Sequence, residues 1–210
     1  MQIIREDLDA QGETIDAETL DNLERTDYLL DRQRKMISDL LAYSSLEKSA
    51  KDEDFDPSES FQSILALANV PDGFEVILPT APPAIRCNSI AFETVLRNLI
   101  SNAVKHHELD HGKIVLNATV ERGMCVFVVI DDGPGIPSRY HDKIFEPFQR
   151  LRSQDQGAGS GLGLAFVAKH VSAWGGEIRA INGPDGRGTT FRFTVPLAET
   201  TDSVTPRLAS

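Results

Sequence analysis

Positive charge is scarce in this sequence. Its 210 residues include 21 lysines and arginines against 32 aspartates and glutamates, which gives a formal net charge of −11 at pH 7. Residues 1–60 carry 17 acidic and 7 basic side chains, so most of the excess lies in the N-terminal part. Nucleic acids and anionic membrane surfaces attract clustered lysine and arginine. The composition therefore argues against a nucleic-acid-binding protein and against direct membrane contact.

Long apolar runs, a secretory leader and a cysteine pattern are also lacking. No apolar stretch approaches the roughly 20 residues that span a bilayer, and no basic segment followed by an apolar core opens the chain. The two cysteines, Cys87 and Cys125, stand in apolar contexts without CxxC spacing. This favours buried, reduced thiols over a disulfide or a metal pair. We therefore expect a soluble, cytoplasmic protein.

One long helix with an apolar seam is predicted over residues 16–48. Seven-residue spacing relates the seam positions, and charged side chains occupy the other faces. The seam consists of Leu23, Leu30 and Ile37, with Thr26, Gln33 and Leu40 between them. Such a seam needs a partner, so a helical hairpin or coiled coil is favoured over an ordinary surface helix. A helix-compatible segment at residues 1–10 would cover only about a third of its length.

The domain boundary is predicted where the chain turns polar and acidic, between residues 47 and 59, because Pro57 interrupts any continuing helix there. The organisation that we expect is a helical segment over 1–50, a linker over 51–58, a folded domain over 59–197 and a disordered tail over 198–210. Within the folded domain, periodicity predicts helices over 59–68, 89–107 and 161–174, and strands over 74–78, 84–87, 113–121, 124–130, 177–181 and 189–196, with Arg122-Gly123 as a tight hairpin.

Two carboxamides share a face of the predicted helix 89–107. Asn98 and Asn102 are four residues apart, and Lys105 follows one turn later. The pair is compatible with simple surface polarity. An asparagine oxygen is also a suitable ligand for Mg²⁺, which prefers oxygen donors and keeps phosphates as co-ligands, and Lys105 would then add positive charge for those phosphates.

A carboxylate and a turn follow the apolar strand 124–130. The sequence Asp131-Asp132-Gly-Pro-Gly-Ile136 is compatible with an ordinary turn. A carboxylate fixed at a strand end can also accept a hydrogen bond from the exocyclic amino group of a base, and the glycines allow the backbone to approach that base.

Two further motifs lie downstream. In Phe145-Glu-Pro-Phe148-Gln-Arg150, the aromatic rings are compatible with core packing and with hinge anchors, while Arg150 and Arg152 would direct charge towards phosphate. The run from Gly157 to Leu164 opens directly into a helix, whose N-terminal amides favour an anion. The run is neither a Walker loop nor a dinucleotide fingerprint.

Taken in order, these motifs resemble those of a known family. The segments NLISNAVKH, DDGPGIP, FEPFQRL, GSGLGLAF and GRGTTF are similar to the N, G1, F, G2 and G3 boxes of sensor histidine kinases, within the superfamily of gyrase-type, chaperone-type and kinase ATPases. The match covers residues from about 59 to 197. The helix ending DLLAYSSLE resembles the second helix of the dimerisation and histidine-phosphotransfer hairpin of the same kinases.

The resemblance implies an α+β fold: an α/β sandwich of a mixed sheet with helices on one face and a Bergerat-type ATP site, preceded by a long helix of a helical hairpin. It also implies ATP and Mg²⁺ as ligands. Asn102 would coordinate the metal, and Asn98 and Lys105 would contact it or the phosphates. Asp131 would bind the adenine amino group. A mobile lid would extend over about 138–158. Arg150, within reach of the phosphates, would be catalytic together with Asn98 and Lys105. The remaining implied nucleotide-binding residues are His106, Gly133, Gly135, Ile136, Phe145 and Phe148 at the lid hinge, Gly159, Gly161, Leu162, Gly163 and Thr190.

One departure from the family concerns histidine. The family's phosphoacceptor histidine lies on the first helix of the hairpin, yet residues 1–60 contain no histidine. The five histidines, His106, His107, His111, His141 and His170, all lie in the ATP-binding half, where surface or partly buried roles are favoured. A chain starting inside what resembles the first helix indicates an N-terminally truncated kinase core.

Our main hypothesis is the ATP-binding kinase core of a two-component sensor histidine kinase. It would transfer the γ-phosphoryl group of ATP to a histidine absent from this sequence, for onward transfer to a response-regulator receiver aspartate. A homodimer through the hairpin is expected if the first helix is complete. One alternative is a nucleotide-gated interaction module without kinase activity. A gyrase-like or chaperone-like ATPase is the other, and it would be expected to carry a water-activating glutamate at the position of Asn98.

Overall fold

The computed structural model describes residues 17–45, 51–151 and 160–199. The chain divides into two compact units, residues 1–45 and 46–210. Among the described residues, none of the helices combines the length and apolar character needed to cross a bilayer. The predicted helix at residues 1–10 and the tail beyond residue 199 lie outside the described residues.

The first unit contains helix α1, Ala17–Ser45, within the predicted span 16–48. Its apolar side chains are largely exposed within that unit: Leu30 and Leu40 at 46% and Ile37 at 59%. The prediction of an apolar seam that needs a partner agrees with this exposure.

The second unit is a layer of helices on a mixed five-stranded sheet. Its helices are α2 (Phe61–Ala68), α3 (Ser89–Lys105) and α4 (Gly163–Ala173). Its strands are β1 (Glu53–Phe55), β2 (Phe74–Ile77), β3 (Ile85–Cys87), β4 (Gly112–Glu121), β5 (Met124–Asp131), β6 (Ile178–Asn182) and β7 (Thr189–Pro196). The sheet order is β2-β4-β5-β7-β6, with β2 parallel to β4 and every other pair antiparallel. The predicted fold class is therefore confirmed.

Strand β1 corrects the prediction of a linker over 51–58. Its Glu53 pairs with Cys87 and its Phe55 with Ile85, which makes a small antiparallel sheet with β3. Pro57, expected only to interrupt a helix, opens a short 3₁₀ helix over Pro57–Ser60, as its fixed φ allows. The three residues of β1 give too little periodicity for a strand to be predicted there.

Helix α3 is central to the domain because its sequence separates apolar from polar faces. The Asn88 side chain caps its first turn by accepting a hydrogen bond from the Ala91 amide at 2.9 Å. Its buried face consists of Ala91, Phe92, Val95, Leu96, Leu99, Ile100 and Ala103. In the core, the Phe92 ring lies 5.1 Å from Phe127 on β5, which stacks on Phe193 of β7 at 5.3 Å.

The β4–β5 hairpin agrees with the prediction, whereas the C-terminal end departs from it. Arg122 and Gly123 have φ of +50° and +80°, as a two-residue hairpin turn requires. Residue 198, predicted to begin a disordered tail, is held in the domain, because the Ala198 amide donates a hydrogen bond to the Ala84 carbonyl at 3.0 Å. Cys87 and Cys125 are both buried and free of disulfides, as predicted.

Candidate functional site

Asp131 is a buried carboxylate at the end of β5, with 9% of its surface exposed. Its Oδ1 accepts hydrogen bonds from two backbone amides, Gly133 at 3.0 Å and Thr189 at 3.2 Å. Burial raises the pKa of Asp131, although the two amides and a nearby histidine act in the opposite direction. Within the described ranges no donor reaches Oδ2, so that oxygen is available to an external donor.

Glycines bring three backbone segments together at this carboxylate. Gly188, with φ +75°, lies against the Asp131 carbonyl so closely that a Cβ would overlap it. Gly135, with φ +77°, lies against Gly188, and a Cβ there would stand 2.8 Å from the Gly188 carbonyl oxygen. A side chain at either position would force the segments apart. The structure thus places the predicted Gly133 and Gly135 beside Asp131, and adds Gly188.

Thr190 does not join this cluster, which corrects the expectation that it lies near the nucleotide. It pairs with Ile130 and Ile181 in the sheet, whereas Asp131 lies one residue further along β5. Because side chains alternate along a strand, Thr190 lies on the sheet face opposite Asp131 and the core. Its neighbour Thr189, 3% exposed, lies on the Asp131 side. Neighbouring residues of a pleated strand face opposite sides of the sheet, so a shift of one residue moves a side chain to the other face.

The polar face of α3 meets the start of α4. Asn98 and Asn102 are both half-buried, and the Asn98 side-chain amide donates to the Thr94 carbonyl at 2.8 Å. Its Oδ1 faces the first residue of α4, where a Cβ on Gly163 would lie 2.9 Å away. Two motifs separated by about 65 residues in the sequence therefore converge. Lys105 and His106 are exposed at the C-terminal end of α3.

His107, which the sequence places at the border of the nucleotide site, connects the end of α3 to the Asp131 region through Asp132, a contact that the sequence does not indicate. Its side chain is 2% exposed, and Nε2 lies 3.2 Å from Asp132 Oδ1. A Cβ on Gly133 would stand 3.3 Å from its ring. A carboxylate oxygen only accepts, so Nε2 is the donor to Asp132, while Nδ1 lies 3.1 Å from the Leu109 amide nitrogen and 3.3 Å from the Leu109 carbonyl oxygen. Only tertiary structure reveals this pairing across 25 residues.

The lid segment is anchored at two points within the described residues. The Phe145 ring packs edge-on against Phe191 at 6.3 Å, as expected of an anchor. Phe148 is 51% exposed, so of the predicted pair of hinge anchors only Phe145 is a partly buried aromatic side chain packed against the core within the described residues. The Phe148 backbone has φ +64°, which reverses the chain, and its amide donates to the Gly161 carbonyl at 2.9 Å. The backbone of Phe148 is thus the anchor.

The remaining predicted residues take several positions. Ile136 packs against the core and accepts a hydrogen bond from His141 Nε2 at 2.8 Å. Leu162 is fully buried, so only its backbone could face a ligand. Arg150 is exposed. Gly159 and Arg152 lie outside the described residues.

A family model matches this domain. Residues 87–199 match the model described as histidine kinase-, DNA gyrase B-, and HSP90-like ATPase. This span contains the carboxylate of Asp131, the polar face of α3 and the start of α4. It covers slightly more than half of the chain.

Sequence relatives are sensor kinases of several organisms. Sensor protein CutS of Streptomyces coelicolor is 35% identical over 127 residues, which cover 60% of this chain and 30% of CutS. Sensor histidine kinase WalK of Bacillus subtilis is 32% identical over 183 residues, which cover 80% of this chain and 29% of WalK. The chain thus spans less than a third of the length of these relatives.

Solved structures show the same fold. The mycobacterial sensor histidine kinase MprB matches with a TM-score of 0.61 and 26% identity, covering 69% of this chain and 97% of that one. Full-length ShkA, solved in complex with AMPPNP, matches with a TM-score of 0.67 and 25% identity, covering 90% of this chain and 41% of that one.

Proposed function

Because this chain belongs to the family of histidine kinase-, DNA gyrase B- and HSP90-like ATPases, we propose that it is the ATP-binding kinase core of a sensor histidine kinase. The observation that carries the proposal is the buried carboxylate of Asp131, whose Oδ1 is held by two amides while Oδ2 is left to a ligand. The second unit would bind ATP, and α1 would belong to the dimerisation and phosphotransfer hairpin.

The base would bind at Asp131. Adenine presents an exocyclic amino group as a hydrogen-bond donor, and Oδ2 is a charged acceptor in a buried setting where such a bond gains strength. The tight packing of Gly135 on Gly188 keeps side chains away from the plane that a flat base would occupy. Thr189 takes the position beside Asp131 that the sequence had assigned to Thr190.

The phosphates would lie towards α3 and α4. Helix α4 begins at Gly163 beside Asn98, and the first amides of a helix, together with its dipole, favour an anion. Lys105, His106 and Arg150 would supply positive charge around them. Orientation and charge stabilisation are the main contributions a protein makes to phosphoryl transfer, and these side chains would provide both.

Magnesium fits the donors on α3. The described residues include no group of three His, Cys, Asp or Glu side chains able to hold a metal. A divalent ion would therefore depend on a carboxamide oxygen, for which Asn102 is our candidate with Asn98 beside it, and on oxygens of the nucleotide. Mg²⁺ typically binds through few protein ligands and substrate phosphates. When bound, it would neutralise phosphate charge.

The phosphoryl acceptor would be a histidine that this sequence does not contain, since residues 1–60, which include the part that resembles the phosphotransfer hairpin, have no histidine. In a two-component system the group would pass on to an aspartate of a response-regulator receiver domain, which we propose as the partner. The related kinases are sensor proteins, and we place this domain in the cytoplasm, where ATP is present. Asn98 stands where a hydrolase of this superfamily would need a glutamate, which favours kinase over ATPase chemistry.

The test combines binding with labelling. Calorimetric titration with ATP and MgCl₂ is expected to show one site per chain, and Asp131→Ala is expected to abolish it. After incubation with γ-labelled ATP, we expect no acid-labile, base-stable label on this chain. Wild-type protein that binds no ATP would overturn the proposal. Steady phosphate release that Asn98→Ala abolishes would instead favour the gyrase-like or chaperone-like ATPase.

A further inference from the structure

Arg187 joins three chain segments that meet beside Asp131. Its Nε donates to the carbonyl oxygen of Asp132 at 2.7 Å, and its Nη2 pairs with Glu108 Oε1. Glu108 follows helix α3, Asp132 follows strand β5, and Arg187 precedes strand β7. One guanidinium group thus ties together the ends of α3 and β5 and the start of β7.

Asp132 is held from its other side as well. Its Oδ1 accepts the Lys113 amide at 2.8 Å and faces His107 Nε2 at 3.2 Å. Burial opposes ionisation here, but the Lys113 amide and His107 outweigh it, so the pKa of Asp132 lies below its ordinary value. With the carboxylate held by His107 and Lys113 and the carbonyl by Arg187, the backbone that follows Asp131 is fixed on both sides.

The turn that carries Arg187 also positions a backbone amide that donates to the Asp131 carboxylate. Gly188, the next residue, lies against the Asp131 carbonyl. The amide after it, that of Thr189, donates to Asp131 Oδ1 at 3.2 Å. A shift of this turn away from β5 would therefore remove one of the two amides that fix the carboxylate.

We propose that Arg187 is a positioning residue for nucleotide binding. Through Glu108 and the Asp132 carbonyl it holds the turn over residues 183–188 against β5, so that Thr189 fixes Oδ1 of Asp131 and Oδ2 faces the base. The inference rests on the proposed function, because it takes Asp131 as the group that receives adenine. Arg187 itself needs no contact with the nucleotide.

The first test measures base selectivity. ATP and GTP are titrated against wild type, Arg187→Ala and Arg187→Lys by calorimetry. GTP presents an acceptor where ATP presents its amino donor, so a defect at Asp131 affects ATP more. Arg187→Ala is expected to weaken ATP binding about threefold to tenfold, the effect of one charge-assisted hydrogen bond and a partly exposed ion pair, and to lower the ATP-to-GTP affinity ratio.

Two variants make this test specific. Arg187→Lys retains the charge but lacks the fork that serves both acceptors, so an intermediate ATP affinity is expected. Arg192→Ala is the matched control, because Arg192 pairs with Glu121 at 2.9 Å on the sheet face away from Asp131, and it should leave both affinities unchanged. An equal loss for ATP and GTP in Arg187→Ala, or no loss, would overturn the proposal.

The second test needs no nucleotide. Amide hydrogen exchange of Thr189 is expected to be at least about threefold faster in Arg187→Ala, since its acceptor is no longer held in place, while the amide of Val195 in the same strand is unchanged. Unchanged exchange at Thr189 would overturn the role of Arg187 even if ATP binds normally. Absence of ATP binding in wild type would contradict the proposed function and leave the exchange result valid.

Discussion

The backbone of Gly188 lies directly against the carbonyl of Asp131, with no room for a Cβ between them. The Gly188 carbonyl in turn accepts the Gly183 amide at 2.9 Å and lies beside Gly135. This stacking of backbone on backbone brings the Thr189 amide to the Asp131 carboxylate. The geometry of the proposed base site therefore requires glycine at position 188.

Gly188→Ala is expected to damage both stability and ATP binding. A φ of +75° costs an L-residue about 1 kcal/mol. The Cβ would in addition displace β5 or the turn, so the total loss in the free energy of unfolding should be about 2–4 kcal/mol. Urea unfolding and ATP titration measure the two effects.

Gly186→Ala is the matched control for this substitution. Gly186 lies in the same turn and has the same φ of +75°, but a Cβ there meets nothing within 4 Å. We expect a loss of about 1 kcal/mol and normal ATP affinity. Equal effects of the two substitutions would show that backbone conformation, and not the contact with Asp131, makes glycine necessary at position 188.

Asp131→Asn is expected to separate stability from binding. Because burial raises the folded pKa of Asp131 above its ordinary value of 3.8, the stabilisation from this group is present at low pH and is lost as pH rises through the folded pKa. Asparagine keeps an acceptor for both amides and does not titrate. The free energy of unfolding of the variant should therefore rise relative to that of wild type as pH increases from about 4 to about 7. ATP affinity should fall at least about tenfold.

The neighbouring Asp132→Asn provides a control of opposite sign. The folded pKa of Asp132 is lowered, so its stabilisation is present at neutral pH and is lost as pH falls through the folded pKa. The variant should therefore lose stability relative to wild type at pH 7 and lose little at low pH. Urea unfolding of both variants and wild type at pH 4 and 7 measures the contrast, and the same pH trend in both variants would contradict the assignment.

Much of the fold was predictable because each element carries its own pattern. Helix α3 alternates apolar and polar residues at helical spacing, and β5 is a continuous apolar run that ends at Asp131. The structure places Gly133 beside Asp131 and Gly163 beside Asn98, and both motifs could be singled out because they lie at element ends, where chain segments meet.

The errors have a common cause in tertiary contacts. Strand β1 exists only because β3 offers it a partner, and a three-residue segment shows no periodicity. The sequence alone does not give the phase of the pleat, so it does not reveal that Thr190 lies on the sheet face opposite Asp131. The pairing of Arg187 with Glu108 joins residues 79 positions apart, and although Arg187 lies in the segment GRGTTF, that motif does not indicate the contact.

Gly163→Ala is expected to impair nucleotide binding while sparing stability. Position 163 begins a helix, where alanine is favoured over glycine by up to about 1 kcal/mol, but its Cβ would stand 2.9 Å from Asn98 Oδ1. The carboxamide should rotate away, and Mg²⁺-dependent ATP affinity should fall about threefold to tenfold. In an Asn98→Ala background the same substitution should have no further effect on affinity. If Gly163→Ala lowers the ATP affinity equally in the Asn98→Ala background, the substitution does not act by displacing the Asn98 carboxamide.

The two cysteines are expected to be unreactive until the domain unfolds. Burial raises the pKa of Cys87 and raises that of Cys125 to about 12, and only a thiolate attacks a disulfide reagent. At pH 8, labelling with 5,5′-dithiobis(2-nitrobenzoic acid) should therefore be slow in the native protein and complete within minutes in 6 M guanidinium chloride. Fast labelling of native wild type that Cys87→Ala abolishes would mean that the β1–β3 sheet opens readily, since Cys87 pairs with Glu53. Fast labelling that only Cys125→Ala abolishes would place the opening at the start of β5, beside the β4–β5 hairpin turn and at the other end of the strand from Asp131.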